Sequence, residues 1–409
     1  MAQIEGKRLR SLDILRGVAI LMVFVAHVDG RTSPVIDSLS GIAAYGFWAL
    51  HRLGRTGVEL FFVLSGFLIG GLLFDELKRT GGVDCWRFWM RRGFKIWPSY
   101  YLLLAVLALT GTTSYVDWST AGTALRSLAM HVLFLQNYLP DNPNGPTWSL
   151  AVEEHFYVFL PLVLVGIVAL ARRVGADWRR LVPGATLAVV LACLAMRVAT
   201  LESGVAPWDF ARSHLRMDAL MIGVYARFLD ATGSGIVARL MRHRFLWLAV
   251  GLALVLPAGL VEREHPLMFT IGFLLMSIGD AILLLLVYGG LLGRAERGPV
   301  AAAVAKVGTW SYNIYLWHAF VPLVPFPLYP ALHAAVGRAV SWAPLQLAAH
   351  VALFVGYSIV VGWAATRLVE DPVLKLRNRW FPAVRTRAEA PPAPSRPASA
   401  ETFAAPSLP

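Results

Sequence analysis

The sequence predicts an all-α integral membrane protein with about ten transmembrane helices and both termini in the cytoplasm. Three observations support this prediction: the composition, the recurrence of long apolar runs and the distribution of basic residues. The 409-residue chain is 57% apolar and only 15% charged, with a mean hydropathy of +0.60. Soluble globular proteins are about 45–50% apolar and about 25% charged. The composition therefore excludes an ordinary cytosolic enzyme, a disulfide-rich secreted domain and a disordered chain.

Apolar runs that approach or reach the length of a membrane-spanning helix recur ten times. A helix that crosses a bilayer needs roughly 17–25 mainly apolar residues. In chain order, the predicted spans cover residues 12–28, 58–74, 96–110, 148–171, 181–196, 215–226, 245–260, 268–292, 310–323 and 345–366. A further apolar segment, residues 121–139, is interpreted as re-entrant or surface-lying. An eleventh span there would move the arginine-rich loop at residues 172–180 out of the cytoplasm.

The basic residues support ten crossings and set their orientation. The net charge is +12, from 37 Lys and Arg residues against 25 Asp and Glu residues. If the segments between spans alternate sides, 27 basic residues share one side with both termini and 8 fall on the other. Lys and Arg concentrate in cytoplasmic loops of membrane proteins. The bias therefore predicts cytoplasmic termini, and the positive charge does not require a nucleic-acid partner.

One transmembrane domain, residues 1–376, accounts for nearly the whole chain. The tail at residues 385–409 is rich in Pro, Ala and Ser, so it is predicted to be a disordered cytoplasmic segment. No second soluble domain is indicated by the composition.

The first predicted span contains Asp13, Arg16 and His27, and ionisable residues inside a bilayer are functional candidates because they are costly there. Arg16 and His27 are eleven residues apart. In a continuous helix they project from nearly one face, roughly 16 Å apart along the axis. A cation near the cytoplasmic end could hold an anionic group, and a deeper imidazole could take a proton near neutral pH. The alternatives are a snorkelling anchor for Arg16 and an interhelical hydrogen bond for His27.

The second and fourth predicted spans add further candidates. Glu59 lies at the outer end of the second span, where Gly66 and Gly70 form a small-residue face typical of helix packing. In the fourth span, Glu153 and Tyr157 are four residues apart and share a helix face. A buried glutamate could orient or polarise a histidine, whereas acidic residues at a helix start could instead complement the helix dipole.

The remaining candidates are charged or titratable residues near other span ends. Arg92 and Lys95 precede the third span and could bind phosphates, or could simply follow the positive-inside rule. Arg216 and Asp218 are interpreted as an easily formed pair, and His318 taken alone is interpreted as structural. No His-Glu-x-x-His motif and no serine nucleophile elbow occurs, so zinc and serine-hydrolase chemistry gain no support and no metal is expected.

In chain order these residues resemble the signature elements of the membrane-bound acyltransferase-3 family, over about residues 8–376. The resemblance begins with Arg16 and His27 in the first span and continues with a Phe-Phe-x-x-Ser-Gly element that includes Ser65. Further matching elements follow in the family's order: Trp148 through Tyr157, Arg216 through Leu220, Tyr312 through His318, and Glu370-Asp371-Pro372. One departure is Lys95, because the family usually has a second arginine there and lysine lacks bidentate phosphate geometry.

The resemblance implies an O-acyltransferase of the bacterial inner membrane that transfers an acyl group, most simply acetyl, from acyl-CoA to a carbohydrate or glycolipid hydroxyl. His27 is then the base or the acyl carrier, and Glu153 orients the base or closes the acceptor pocket. The residues expected to bind acetyl-CoA are Arg16, Arg92, Lys95 and Ser65. The family resemblance and the charged span positions leave further site candidates: Asp13, Glu59, Trp148, Tyr157, Arg216, Asp218 and His318.

Two other classes of protein stay open at the level of sequence. Ten helices with intramembrane charges would suit a secondary transporter, although the repeated halves and matching broken helices of many transporters are not evident. A non-enzymatic membrane partner of polysaccharide-assembly proteins would need no Arg16 and His27 pair. Release of the CoA thiol is the observation that separates the enzyme from both alternatives.

Overall fold

The computed structural model describes residues 2–28, 41–110, 119–139, 145–204, 210–262, 265–320 and 328–382, and this part of the chain is helical without β-strands. The predicted tail at residues 385–409 lies outside the described residues. So does the end of the ninth predicted span, residues 321–323.

The helices of the described residues are numbered in chain order. They are α1 (Ala2–Val25), α2 (Gly41–Gly54), α3 (Thr56–Thr80), α4 (Cys85–Thr110), α5 (Ala121–Val132), α6 (Thr147–Arg173), α7 (Val182–Glu202), α8 (Met217–Ala231), α9 (Ile236–Arg242), α10 (Arg244–Val255), α11 (Phe273–Tyr288), α12 (Pro299–Thr309), α13 (Ser311–Trp317), α14 (Leu328–Ala339), α15 (Ala343–Ala365) and α16 (Asp371–Trp380). Five-residue π-helical segments precede α11 and join α15 to α16.

The described residues contain six helical stretches that are long and apolar enough to cross a membrane, and a seventh if one bent pair is a broken span. The pair consists of α9 and the helical stretch Arg244–Gly259, which are bent by 99°. The six stretches are Ala44–Thr80, Cys85–Thr110, Thr147–Arg173, Trp178–Glu202, Met268–Tyr288 and Ala343–Trp380.

The all-α membrane fold is confirmed, whereas the number of ten spans is not. Each predicted span overlaps a helix. Several of those helices, however, are too short or too highly charged to cross a bilayer on their own. The sixth prediction falls on α8, which has 15 residues, and the ninth begins on α13, which has 7. The first falls on α1, whose sequence includes several charged residues. Length and composition alone therefore support fewer crossings than the loop charges predict.

The segment at residues 121–139 forms the short helix α5, followed by a 3-10 turn over Gln136–Tyr138. The 12 residues of α5 span about 18 Å at 1.5 Å per residue, against about 30 Å for the hydrocarbon core. This length agrees with the interpretation that the segment does not cross the membrane by itself.

Glycine contacts hold α3 directly against α8. A Cβ added at Gly66 would lie 1.9 Å from the Leu220 carbonyl oxygen, and one added at Gly223 would lie 2.1 Å from the Val63 carbonyl oxygen. Gly70 faces the same helix, since a Cβ there would lie 3.2 Å from the Val224 Cα. The predicted packing role of Gly66 and Gly70 is therefore confirmed, and this contact fixes the helix that carries Glu59 and Ser65.

A second close contact joins α1 to α12. A Cβ added at Gly308 would lie 1.8 Å from the Asp13 carbonyl oxygen, and one added at Gly17 would lie 2.1 Å from the Val304 carbonyl oxygen. Backbones approach this closely only where glycine leaves the space. The contact fixes the turn of α1 that carries Asp13 and Arg16.

Replacing Gly66 by Val is expected to destabilise the protein by about 1–3 kcal/mol or more, because the added side chain must push α3 away from α8. The measurement is the thermal unfolding of the purified protein in detergent. Gly166→Val is the matched control, since Gly166 also lies in a long helix but a Cβ there would meet no atom within 4 Å. Equal unfolding temperatures for the two variants would contradict the packing role of Gly66.

Candidate active site

Two separate cavities contain most of the candidate residues. The first, which we call the Arg16 cavity, has a volume of about 160 Å³. Its polar lining is formed by α1, α3, α4, α6 and the α12–α13 region, and includes Arg16, Ser65, Arg92, Lys95, Ser149, Glu153, Tyr157, Thr309, Ser311, Tyr312 and Tyr315. The four residues that the sequence assigns to acetyl-CoA therefore lie around one cavity.

Arg16 is held in this cavity by its neighbour in α1. The Arg16 Nη1 lies 2.8 Å from the Asp13 Oδ1, and 35% of the Arg16 side chain remains exposed. Residues three apart lie on the same side of a helix, so the pair forms within α1 itself. Asp13 orients Arg16, which lines the cavity and keeps part of its side chain exposed.

A chain of hydrogen bonds links α3 to α6 across the same cavity. The Ser65 Oγ and the Tyr157 Oη are 2.6 Å apart, and the Tyr157 hydroxyl donates to the Glu153 Oε2. Ser65 also lies 3.5 Å from that oxygen. The predicted sharing of one helix face by Glu153 and Tyr157 is confirmed, because both side chains meet Ser65.

Arg92 and Lys95 have different electrostatic environments, although they are three residues apart in α4. Lys95 forms an ion pair with the buried carboxylate of Glu370, which also accepts a 2.7 Å hydrogen bond from the Asn313 Nδ2. The Arg92 guanidinium carbon lies 4.4 Å from the centre of the Tyr157 ring. Among the described residues, Arg92 has no carboxylate partner within ion-pair distance. Within this part of the chain, Arg92 is thus near the carboxylates of Glu153 and Glu154 without a direct ion pair, whereas Lys95 is paired directly with Glu370.

The second cavity, which we call the His27 cavity, has a volume of about 310 Å³. Helix α1 ends at Val25, and His27 lies in the turn that follows. The His27 Nδ1 donates to the Val23 carbonyl oxygen at 2.9 Å, so the neutral imidazole carries its lone pair on Nε2. Arg16 and His27 do not project from one face of a continuous helix as the spacing predicts. They line different cavities, and Val58 of α3 lines both.

A second histidine packs against His27. The ring centres of His27 and His318 are 4.9 Å apart, and the rings are nearly perpendicular at 83°. His318 is fully buried, and its Nδ1 donates to the Tyr315 carbonyl oxygen at 2.6 Å. The His318 Nε2 has no hydrogen-bond partner among the described residues. The structure therefore brings His318 to His27, a contact that the sequence does not predict.

The ion pairs around this cavity differ from the predicted pairing of Arg216 with Asp218. Arg216 instead pairs with Glu59, and Asp218 pairs with the buried Arg197 at 2.7 Å. Residues two apart near a helix start do not face each other, and Arg216 precedes the first residue of α8. The Arg216 guanidinium also lies over the Phe273 ring, 3.7 Å from its centre. Glu59 therefore has a buried cationic partner, which explains a carboxylate at the outer end of the second predicted span.

The other predicted residues divide between the two cavities. Trp148 lines the His27 cavity, whereas Glu153, five residues further along α6, lines the Arg16 cavity. Sequence reasoning assigns no role to Arg52 and Arg55, which line the His27 cavity. The sequence could have indicated them, because both are basic residues on the predicted outer side of the membrane, where Lys and Arg are depleted.

Comparison with known proteins gives a family match and several relatives. The model of the family described as "Acyltransferase domain" matches residues 9–367. The chain is 26% identical over 388 residues to the putative peptidoglycan O-acetyltransferase YrhL of Bacillus subtilis, covering 88% of this chain and 54% of the relative. It is 28% identical over 393 residues to the acyltransferase MdmB of Streptomyces mycarofaciens, covering 92% and 94%.

A third relative is the peptidoglycan O-acetyltransferase OatA of Listeria monocytogenes, 24% identical over 407 residues, with 90% of this chain and 56% of the relative covered. The chain thus spans about half the length of the two peptidoglycan O-acetyltransferases, but nearly all of MdmB. No solved structure matches the chain significantly.

Proposed function

Because the chain belongs to the acyltransferase family whose model it matches, we propose that it is a membrane-bound O-acyltransferase. The reaction moves an acyl group, most simply acetyl, from acyl-CoA to a hydroxyl of a carbohydrate or glycolipid. The observation that carries this proposal is the pair of cavities that share Val58, one lined by Arg16, Arg92 and Lys95 from the predicted cytoplasmic side and the other by His27. One cavity suits an anionic donor, and the other holds a base.

The donor occupies the Arg16 cavity in this proposal. The phosphates of acyl-CoA are polyanionic, and guanidinium groups bind phosphate through paired hydrogen bonds. Arg92, which has no carboxylate within ion-pair distance among the described residues, and Arg16, whose side chain stays partly exposed beside Asp13, supply such groups. Lys95 contributes less to the donor, because Glu370 already neutralises it.

His27 performs the proton transfer. In the direct route, the acceptor hydroxyl gives its proton to the His27 Nε2 while its oxygen forms a bond to the thioester carbonyl carbon. The carbon–sulfur bond then breaks, and the departing thiolate takes the proton back from the imidazolium. In the covalent route, Nε2 first bonds the acyl carbon and the carbon–sulfur bond breaks, so that the thiolate leaves and takes a proton from water; the acceptor oxygen then bonds the acyl carbon and displaces the imidazole, and the hydroxyl proton passes to the hydroxide left by the first step. The amount of thiol released before acceptor is added distinguishes the two routes.

Glu153 belongs to the donor side in this proposal. Its carboxylate accepts from Tyr157, which contacts Ser65 and lies under the Arg92 guanidinium. The chain of contacts holds the cavity wall in place and directs Arg92 toward the donor. The orientation of the base is instead assigned to the Val23 carbonyl, which fixes the tautomer of His27.

We further propose that the protein resides in the bacterial cytoplasmic membrane, with the Arg16 cavity facing the cytoplasm where acyl-CoA is made. Polysaccharide-assembly proteins are the expected partners, since they would supply the acceptor. The position of Arg16, Arg92 and Lys95 around one cavity supports this orientation, because basic residues favour the cytoplasmic side.

The proposed function is tested by thiol release from acetyl-CoA. The purified full chain in lipid nanodiscs is incubated with labelled acetyl-CoA and either peptidoglycan fragments or a bacterial glycolipid extract. We expect free thiol to appear together with label in an alkali-labile ester on the glycan. Transport of an unmodified solute without thiol release would support the transporter alternative. A complete lack of thiol release with every acceptor would contradict the proposed function.

A further inference from the structure

Among the described residues, the His27 cavity is lined by three arginines, Arg52, Arg55 and Arg216, and by one carboxylate, Glu59. Arg52 lines this cavity and is half-buried near the end of α2. Among the described residues, no carboxylate lies within ion-pair distance of Arg52, and no side-chain hydrogen bond fixes it. Arg216, which is buried, pairs with Glu59, and Arg55 is exposed. Arg52 is therefore a cation for which the described protein supplies no counter-charge.

The surroundings of Arg52 make this charge costly without a ligand. Aromatic and aliphatic side chains form much of the cavity wall, among them Trp148 and the stacked rings of Phe210 and Phe269, whose centres are 4.2 Å apart. Next to apolar walls the attraction between a cation and an anion is less screened than in bulk water. An arginine on the predicted outer side also departs from the usual depletion of basic residues there. Its position is explained if it binds an anion.

We propose that the acceptor bound in the His27 cavity carries an anionic group, a carboxylate or a phosphate, and that Arg52 binds this group. The inference rests on the proposed function and deepens it by naming the substrate class. A guanidinium presents two parallel N–H donors that match a carboxylate or a phosphate. The sugar ring packs against the aromatic wall, which leaves a hydroxyl facing His27. Arg52 is a specificity-determining residue in this arrangement, and it takes no part in bond making.

The volume of the cavity suits such an acceptor. About 310 Å³ lies at the lower end of the range of about 300–1,000 Å³ for small-molecule sites. One or two sugar rings fit, and the rest of a longer glycan would extend out of the cavity. Recognition then depends on a charged group close to the ring that is acylated. A neutral glycan would leave Arg52 without a counter-charge, so the cavity discriminates against it.

The test is direct binding of three simple sugars to the purified full chain in nanodiscs, measured by titration calorimetry without any acyl donor. The probes are methyl glucoside, which is neutral, methyl glucuronide, which replaces the hydroxymethyl group by a carboxylate, and glucose 6-phosphate. We expect at least one anionic probe to bind about tenfold or more tightly than methyl glucoside, as for a charge-assisted hydrogen bond. The stronger of the two anionic probes identifies the acceptor's charged group.

Arg52→Gln is expected to abolish the preference for the anionic probe. Arg52→Lys, which keeps the charge and loses the paired donors, is expected to retain part of it. Arg126→Gln is the matched control, because Arg126 is an exposed arginine on the same predicted side that lines neither cavity. Higher salt should weaken binding of the anionic probe to the wild-type protein and leave the neutral probe unaffected.

Equal binding of all three probes, binding of none, or a preference that persists in Arg52→Gln would overturn the inference. If Arg52→Gln does not yield folded protein, Arg52→Lys and the salt dependence of the wild-type protein decide the question. The experiment contains no acyl donor, so its failure leaves the proposed function intact. Conversely, if no thiol is released from acetyl-CoA but the anionic probe binds more tightly, the proposed function is wrong and the anion preference of the cavity still holds.

Discussion

Replacing His27 by Ala is expected to reduce acyl transfer by about 10²–10⁴-fold, the usual contribution of a positioned general base. The physical reason is that alanine removes the Nε2 lone pair that accepts the hydroxyl proton or bonds the acyl group. The His27 side chain is exposed and its Nδ1 donates to the Val23 carbonyl oxygen in the same turn, so we expect the fold to survive the substitution. The measurement is the rate of thiol release from acetyl-CoA in nanodiscs, compared with the yield of inserted protein.

His243→Ala is the matched control for this experiment. His243 is an exposed histidine between α9 and α10, and it lines neither cavity. We expect it to transfer acyl groups at the wild-type rate. A His27→Ala variant that inserts normally and retains wild-type transfer would refute the assignment of the base. His27→Gln adds a shape-conserving comparison, since glutamine keeps a polar side chain and lacks a titratable nitrogen.

Replacing Arg92 by Ala is expected to lower kcat/KM for acetyl-CoA by about 10–100-fold, mainly through a higher KM. A hydrogen bond to a charged group contributes about 1.5–3 kcal/mol, and 1.4 kcal/mol corresponds to a factor of ten. The truncated donor acetyl-pantetheine lacks the nucleotide phosphates, so its kcat/KM should be nearly the same in wild type and variant. The ratio of the two donors is therefore the measurement that reports phosphate contact.

Two comparisons sharpen the donor experiment. Arg91→Ala is the control, because the Arg91 guanidinium donates to the Phe381 carbonyl oxygen and the side chain lines neither cavity. Arg16→Ala should also reduce the preference for acetyl-CoA over acetyl-pantetheine, since Arg16 lines the donor cavity. If Arg92→Ala lowers kcat/KM equally for both donors, Arg92 supports the cavity wall and does not bind the phosphates.

The fold class could be predicted from the sequence because repeated apolar runs of about 17–25 residues are typical of membrane-spanning helices. The exact crossings could not, because short helices such as α8 and α13 complete the bundle through packing that a hydropathy window does not register. The position at which α1 ends could not be predicted either. No glycine or proline marks the position after Val25, so the sequence predicts a helix that continues to His27.

The sequence predicts many of the residues that line the two cavities, but it does not predict which cavity each residue lines. Motif positions bring Arg16, Ser65 and Arg92 to one cavity, and this grouping agrees with the sequence. The pairing of Arg216 with Glu59 depends on how α3 packs against α8, which local spacing cannot reveal. For the same reason sequence reasoning could not place Trp148 and Glu153, close neighbours in α6, in different cavities.

The position of Val58 between the two cavities matters for the proton gradient across the membrane. A cytoplasmic membrane holds an electrochemical gradient of protons, and an open water-filled passage through the protein would dissipate it. The two cavities meet at Val58, which lines both of them. An apolar side chain at that position favours a dry constriction, and hydrophobic constrictions in channels stop ions by dewetting. The proposed reaction could then pass an acyl group between compartments while the bilayer remains sealed to protons and salts.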